Sequence, residues 1–485
     1  MNDRIVKRYY ATGVWESSSA LHVGGESVGA ATADMVLLRA DDGCFYIPGP
    51  SLAGAARSAL ARRFAEKYDA FRDNEEPPIV RALFGRDHSR KWTGESEERE
   101  RTGYASSLSV FDAPAVDWVE AAVRDGVRID ATNGIAVDGA KFDIEVLPAG
   151  ARFRLRFTLS IFEEMPECVS EQDALTAFQA MLTAYCGEIR LGARTRRGYG
   201  EGAVHDWKIH VLDMSRPAHV KAWLLRRPEL GDVVEFRAQQ AANNMFTLDG
   251  RFQLRTSLLV RSASTRPGDP DTVQLFESGS AVLPGTSLAG AIRARCSQIA
   301  VTMLENDEVA RAMIDSLFGP HHETDGPKEA LRGGRVWVSE AHLGGERRVQ
   351  GRVQIDRFTG GARESALFDE APLWPTNGSQ AQIRIQLEEP TDVEIGLLLL
   401  AFKDLWVGDL TLGGEASGGR GVFFGSNAVI SAPDGRTWTL RATEQDPADV
   451  ETDGDREALE SFVTAFAREG RAWMPRPWEV ENVTD

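Results

Sequence analysis

Apolar and charged residues alternate through Arg152-Phe153-Arg154-Leu155-Arg156-Phe157, a period of two that predicts a half-buried strand. Elsewhere the spacing is helical. Leu52-Ala53-Gly54-Ala55 and Leu288-Ala289-Gly290-Ala291 read as helix starts, each N-capped by Ser51 or Ser287 and shielded from the incoming strand by Pro48 or Pro284. A second helix is expected near 174–185 and a closing strand over Ala203-Val204-His205-Asp206-Trp207. The resulting order, βαββαβ, predicts an α+β fold of the ferredoxin-like type.

The order occurs twice. Ile47-Pro48-Gly49-Pro50-Ser51-Leu52-Ala53-Gly54-Ala55-Ala56-Arg57 returns as Leu283-Pro284-Gly285-Thr286-Ser287-Leu288-Ala289-Gly290-Ala291-Ile292-Arg293. Ala82-Leu83-Phe84-Gly85 returns as Ser316-Leu317-Phe318-Gly319, and Arg128-Ile129-Asp130 as Gln354-Ile355-Asp356. Each copy closes on a glycine-rich loop, Leu191 to Gly202 and Leu412 to Gly421. The period far exceeds the roughly 20–50 residues of solenoid repeats, so a whole domain is duplicated. Two tandem domains, 1–212 and 246–430, are expected, with a linker over 213–245 that holds a short helix near 221–226. A C-terminal appendage over 431–485 contains a hairpin-like segment and a helix from Arg456 to Arg468.

The longest apolar stretch, near Ile395 to Phe402, is far shorter than the roughly 20 residues of a membrane helix. The N-terminus lacks a signal-peptide core, so a cytoplasmic protein without membrane contact is expected. Cys44, Cys168, Cys186 and Cys296 have neither disulfide nor zinc spacing. The net charge of −18 excludes a protein that coats nucleic acid through overall basicity, so any grip on a polyanion must be local.

Local cations are present. Arg190, Arg194, Arg196 and Arg197 crowd the first glycine loop around Gly198 with no acid before Glu201, whereas the second loop has Glu415 and only Arg420. Arg57 and Arg293 follow helix starts, where the dipole and free N–H groups favour phosphate. A packed small-residue helix with a solvated arginine explains the same residues, and both readings stay open here. The first loop runs toward a strand, so it is not a dinucleotide site, which requires a helix there.

These motifs, together with Leu21-His22-Val23-Gly24-Gly25, resemble the repeat-associated mysterious protein (RAMP) superfamily, specifically the backbone subunits of type III CRISPR effector complexes. The resemblance includes Ile129-Asp130-Ala131-Thr132-Asn133-Gly134 leading to Phe142-Asp143-Ile144-Glu145-Val146, and Ile355-Asp356-Arg357-Phe358-Thr359-Gly360 leading to Ala366-Leu367-Phe368-Asp369. It implies a ferredoxin-like palm per copy, with a β-hairpin thumb over 128–145 or 352–369. The partners it implies are CRISPR RNA, target RNA and other type III effector subunits. RNA contacts would come from His22, Ser51, Gly54, Arg57, Arg128, Arg194, Arg196, Arg197 and Gly198 in the first copy. In the second they would come from Ser287, Gly290, Arg293, Arg357 and Arg420.

The resemblance also implies an aspartate that cuts target RNA, a few residues ahead of a hydrophobic pair. Asp34 fits in Asp34-Met35-Val36-Leu37, and Asp271 fits in Asp271-Thr272-Val273-Gln274 when the valines are aligned, with Asp269 competing. RNA supplies its own 2′-hydroxyl nucleophile, so one carboxylate that holds Mg2+ or Mn2+, or accepts a proton, suffices. Leu258-Leu259-Val260-Arg261 lacks the His-x-Gly pattern of the first copy, which points to an inactive second unit. Two alternatives stand beside target cleavage: a non-catalytic CRISPR RNA scaffold, and a metal-independent processing endonuclease using His22.

Overall fold

A computed structural model describes residues 4–25, 33–64, 76–85, 104–130, 135–238, 245–262, 268, 270–320, 333–443 and 449–475; Asp269 lies outside them. Alternation sets the first sheet. Along Ile5–Ser17, Tyr9, Ala11 and Trp15 are buried while Tyr10, Thr12 and Val14 face away, as a two-residue period requires. This strand pairs antiparallel with Arg152–Phe162 on one side and with Gly202–Val204 and Lys208–Asp213 on the other. Leu108–Val110 flanks Arg152–Phe162, giving the ferredoxin-like order fourth, first, third, second, and Asp232–Val234 extends the other edge. That edge strand and the helix Pro217–Leu224 come from the expected linker.

The helices Gly49–Phe64 and Glu171–Ala184 cover one face of this sheet. Phe153, Phe157, Tyr185 and Trp207 fill the space beneath. The Tyr185 hydroxyl donates to the Leu52 carbonyl at 2.8 Å, fastening the end of the second helix to the start of the first. One expectation is corrected: the first helix begins at Gly49, so Ser51 lies inside its first turn. Capping comes from across the fold, where the Asp112 carboxylate accepts from Gly49 N at 2.7 Å. In the second copy Pro284 holds the N-cap position and the helix starts at Gly285, which places Ser287 likewise.

The second copy repeats the order, with Phe423–Ser431, Met245–Leu254, Gln380–Glu388 and Val336–Val338 side by side. Thr437–Ala442 and Val450–Asp453 lengthen its sheet. The helix Asp392–Trp406 is buried nearly all round because Arg456–Glu469 packs over its outer side with Phe462 and Phe466 in the core. At Gly396 a Cβ would stand 2.1 Å from the Phe462 carbonyl oxygen. Hence the longest apolar stretch of the chain is a core helix.

The compact units cross the repeat boundary. One holds 1–122, 145–193 and 200–241; the other holds 123–144, 194–199 and 242–485. The hairpin of the first copy, Ala122–Ile129 with Ala136–Val146, and the arginines of its glycine loop therefore belong mostly to the second unit. There Arg124, buried, donates to Glu277 at 2.6 Å and to Glu340 at 3.2 Å and lies over the Tyr199 ring. Burial pushes its pKa down, but bonds and charges from the two glutamates more than offset this and hold the cation. The second hairpin, Gln350–Ile355 with Ala362–Ala371, lies in the same unit.

Candidate RNA-binding and cleavage site

In the first copy, Leu21 and Leu147 exchange backbone hydrogen bonds of 2.8 Å. Beside them, the loop carrying Asp34 is laid against the strand end: Gly25 N donates to Val36 O at 2.9 Å and Leu38 N to Val23 O at 2.8 Å. Glu145 joins the pieces. Its N–H donates to Met35 O at 2.8 Å, its carboxylate accepts from Leu37 N at 2.8 Å and pairs with Arg39, and its carbonyl oxygen is 2.7 Å from His22 Nδ1. His22 is buried and braces the strand end from within. Asp34, one residue before Met35, is exposed.

The glycine loop closes over the same turn. Ala193 N donates to His22 O at 2.8 Å and Gly200 N to Ala20 O at 2.7 Å. Gly192 has φ +82°, and a Cβ there would fall 2.3 Å from His22 O, so the loop needs glycine for both conformation and approach. Arg194, Arg196 and Arg197 sit in the second unit. Arg194 lies over Phe142 and Arg196 over Trp337, while Arg197 is exposed. Burial, and the neighbouring charge of Arg197, lower the pKa of Arg194.

The second copy reproduces the scaffold without all its side chains. Leu258 and Leu373 exchange the equivalent 2.8 Å bonds, and Gly414 and Gly421 donate to Leu259 and Ser257. Leu275 N donates to Val260 O at 3.0 Å, and Arg261 pairs with Gln274 as Gly24 pairs with Leu37. The registers put Asp271 where Asp34 stands. Leu259 replaces His22 and Ala371 replaces Glu145 in this correspondence. Asp271, also exposed, accepts from Asp369 N at 3.1 Å.

Other expected contacts separate into exposed and engaged groups. Arg128 and Arg357 are exposed on the hairpins, and Gly54 and Gly290 are exposed with open space where a Cβ would be. Arg57 instead forms two bonds to Glu76 and one to Gly85 O. Arg293 bonds Asp315 and Gly319 O at 2.8 and 2.6 Å. Both arginines thus clamp the Leu-Phe-Gly turn of their own copy. Arg420 is buried and bonded to Glu370, Glu415 and Gln350. Among the described residues no group of three or more His, Cys, Asp or Glu gathers as a metal site, and no helix is long and apolar enough to cross a membrane.

A paired ferredoxin-like fold, with a hairpin insertion and a glycine loop closing on a strand end in each copy, defines the class. Residues 16–202 and 251–423 match the model of the RAMP superfamily, and the chain belongs to that superfamily. The comparison with curated proteins gives no match. Membership makes it a CRISPR-associated RNA-binding subunit.

Proposed function

We propose that the chain is a covalently doubled backbone subunit of a type III CRISPR effector. Its two copies line a CRISPR RNA, and Asp34 of the first copy cuts the complementary target RNA. The observation that carries this reading is the exposed Asp34 on a loop that Glu145 ties to the His22 strand end, beneath the glycine loop. Such bracing is what a cleavage site needs, because transesterification by the 2′-hydroxyl depends on holding three atoms in line. Asp34 either accepts the hydroxyl proton or holds a divalent cation. A single carboxylate fits Mg2+, which keeps waters and takes phosphate oxygens as further ligands; the bound ion would neutralise charge at the scissile phosphate. Exposed Arg128, Arg197 and Arg357 supply cations for the RNA backbone, and exposed Gly54 and Gly290 leave the helix starts open to it.

The test is gel mapping of end-labelled target RNA with the assembled complex. Asp34→Ala is expected to abolish one cut and leave guide and target binding intact, because pairing along the guide, and not one carboxylate, holds the target. Loss of the same cut on chelation of divalent cations marks the cation-holding role, and its persistence the proton-accepting one. Cleavage by Asp34→Ala at every wild-type position and rate would overturn the assignment and leave a binding scaffold.

A further inference from the structure

The first copy's sheet has helices on one face, and its other face is strongly cationic. Thr12 on the central strand is flanked by Arg156 on one neighbour and Lys208 on the other, and the next residue on that face, Val14, is flanked by Arg154. All three cations are exposed, and among the described residues none has an ion pair. Arg156 lies 4.1 Å over the ring of Phe111, which is itself 37% exposed, as Val14 is 39%. Pro217–Leu224 covers only the far end of the face, where Trp223 meets Arg8. At the opposite end, Arg152 is answered by Asp117 at 2.5 Å, with Glu16 beside it.

The second copy is an internal control. At the position of Thr12 stands Asp249, which holds Arg384, the counterpart of Arg156, at 2.6 Å. Gln382 replaces Arg154, and Val429 replaces Lys208; Arg251, in place of Val14, is added, and so is Arg441 on the strand that lengthens this sheet, where it faces Glu451. That face is close to neutral. In the first copy, Arg156 and Lys208 stand two strand spacings apart, roughly 10 Å, within about one Debye length at 0.1 M salt. Like charges this close repel, and no fold requirement explains them, because the same fold in the second copy does without.

We propose that this face of the first copy's sheet is a second binding surface, for single-stranded nucleic acid. Arg154, Arg156 and Lys208 track the phosphates, and Phe111 and Val14 give unpaired bases an apolar edge. Cations interleaved with an exposed aromatic fit a single strand, in which every base has a π face, whereas the carboxylates of an acidic protein segment would answer the cations and leave Phe111 unused. The surface is built from strand residues and uses none of those assigned to the guide or the target, so it goes beyond the guide-and-target reading. A purified complex devoid of CRISPR RNA would refute that reading and leave this one standing.

The full chain is titrated with fluorescein-labelled oligouridine by anisotropy over a range of salt. R154A/R156A/K208A is expected to weaken binding about tenfold or more and to lower the salt slope by about two, from roughly 0.7 per phosphate contact. Thr12→Asp, which copies the second unit's solution and leaves every cation in place, is expected to weaken binding as well. Thermal melting checks that both variants remain folded, as changes on the open face of the sheet predict. Unchanged affinity and slope in either folded variant would overturn the proposal. Displacement of the RNA by polyglutamate as readily as by unlabelled oligouridine would also overturn it, in favour of an acidic protein partner.

Discussion

Arg124 has given up nearly all its hydration and is compensated by two carboxylates, Glu277 and Glu340, that are as buried as it is. Removing the cation alone strands two buried anions, and a lost partner of this kind costs about 3–5 kcal/mol. Arg124→Met is therefore expected to lower the unfolding free energy by that amount, measured by urea denaturation, and E277Q/E340Q in the same chain to restore much of it. Glu145 works differently, as a brace for the Asp34 loop. Glu145→Ala is expected to slow target cleavage about tenfold to a hundredfold, as loss of positioning does, with target affinity unchanged in the same assay. The correspondence of Asp34 with Asp271 was legible by counting from the paired valines, and the registers match that count. Glu145 was not, although it lies in a quoted motif, because its partners Leu37 and Arg39 are over a hundred residues away in the chain. Arg57 and Arg293 stood out as cations after helix starts. What they clamp, the Leu-Phe-Gly turns, had been found as a separate repeat, and only folding joins the two.

At the scale of elements, the helix Asp392–Trp406 depends on the C-terminal helix Arg456–Glu469, whose Phe462 meets Phe246 and Trp438 edge to face. Phe462→Ala is expected to cost about 3–5 kcal/mol, measured by urea denaturation. Gly396→Ala is expected to destabilise as well, since its Cβ would collide with the Phe462 carbonyl. The C-terminal segment is thus part of the second copy's core, where the sequence suggested an appendage. The palms were legible because the repeated motifs mark junctions: a proline before a helix, a glycine after one, a glycine loop before the last strand. The edge strands Asp232–Val234 and Val450–Asp453 were not, because three or four residues at a sheet edge are too few to display a period.

For the molecule as a whole, two copies of one scaffold carry unequal chemistry. With Leu259 for His22 and Ala371 for Glu145, the second copy lacks the carboxylate brace and the histidine, and its aspartate is itself engaged by Asp369 N. Asp271→Ala is accordingly expected to leave the target fragment pattern unchanged, and D34A/D271A to match Asp34→Ala; a band lost on Asp271→Ala alone would restore activity to the second copy. The crossing of the compact units over the repeat boundary has a consequence during synthesis. The hairpin 123–144 emerges from the ribosome about 200 residues before Glu340, which completes the pocket for Arg124. At about 5–20 residues per second, Arg124 waits roughly 10–40 s for its second carboxylate. A gene split between the copies would make that wait permanent, leaving the first half without the carboxylates that its hairpin arginine is built to meet.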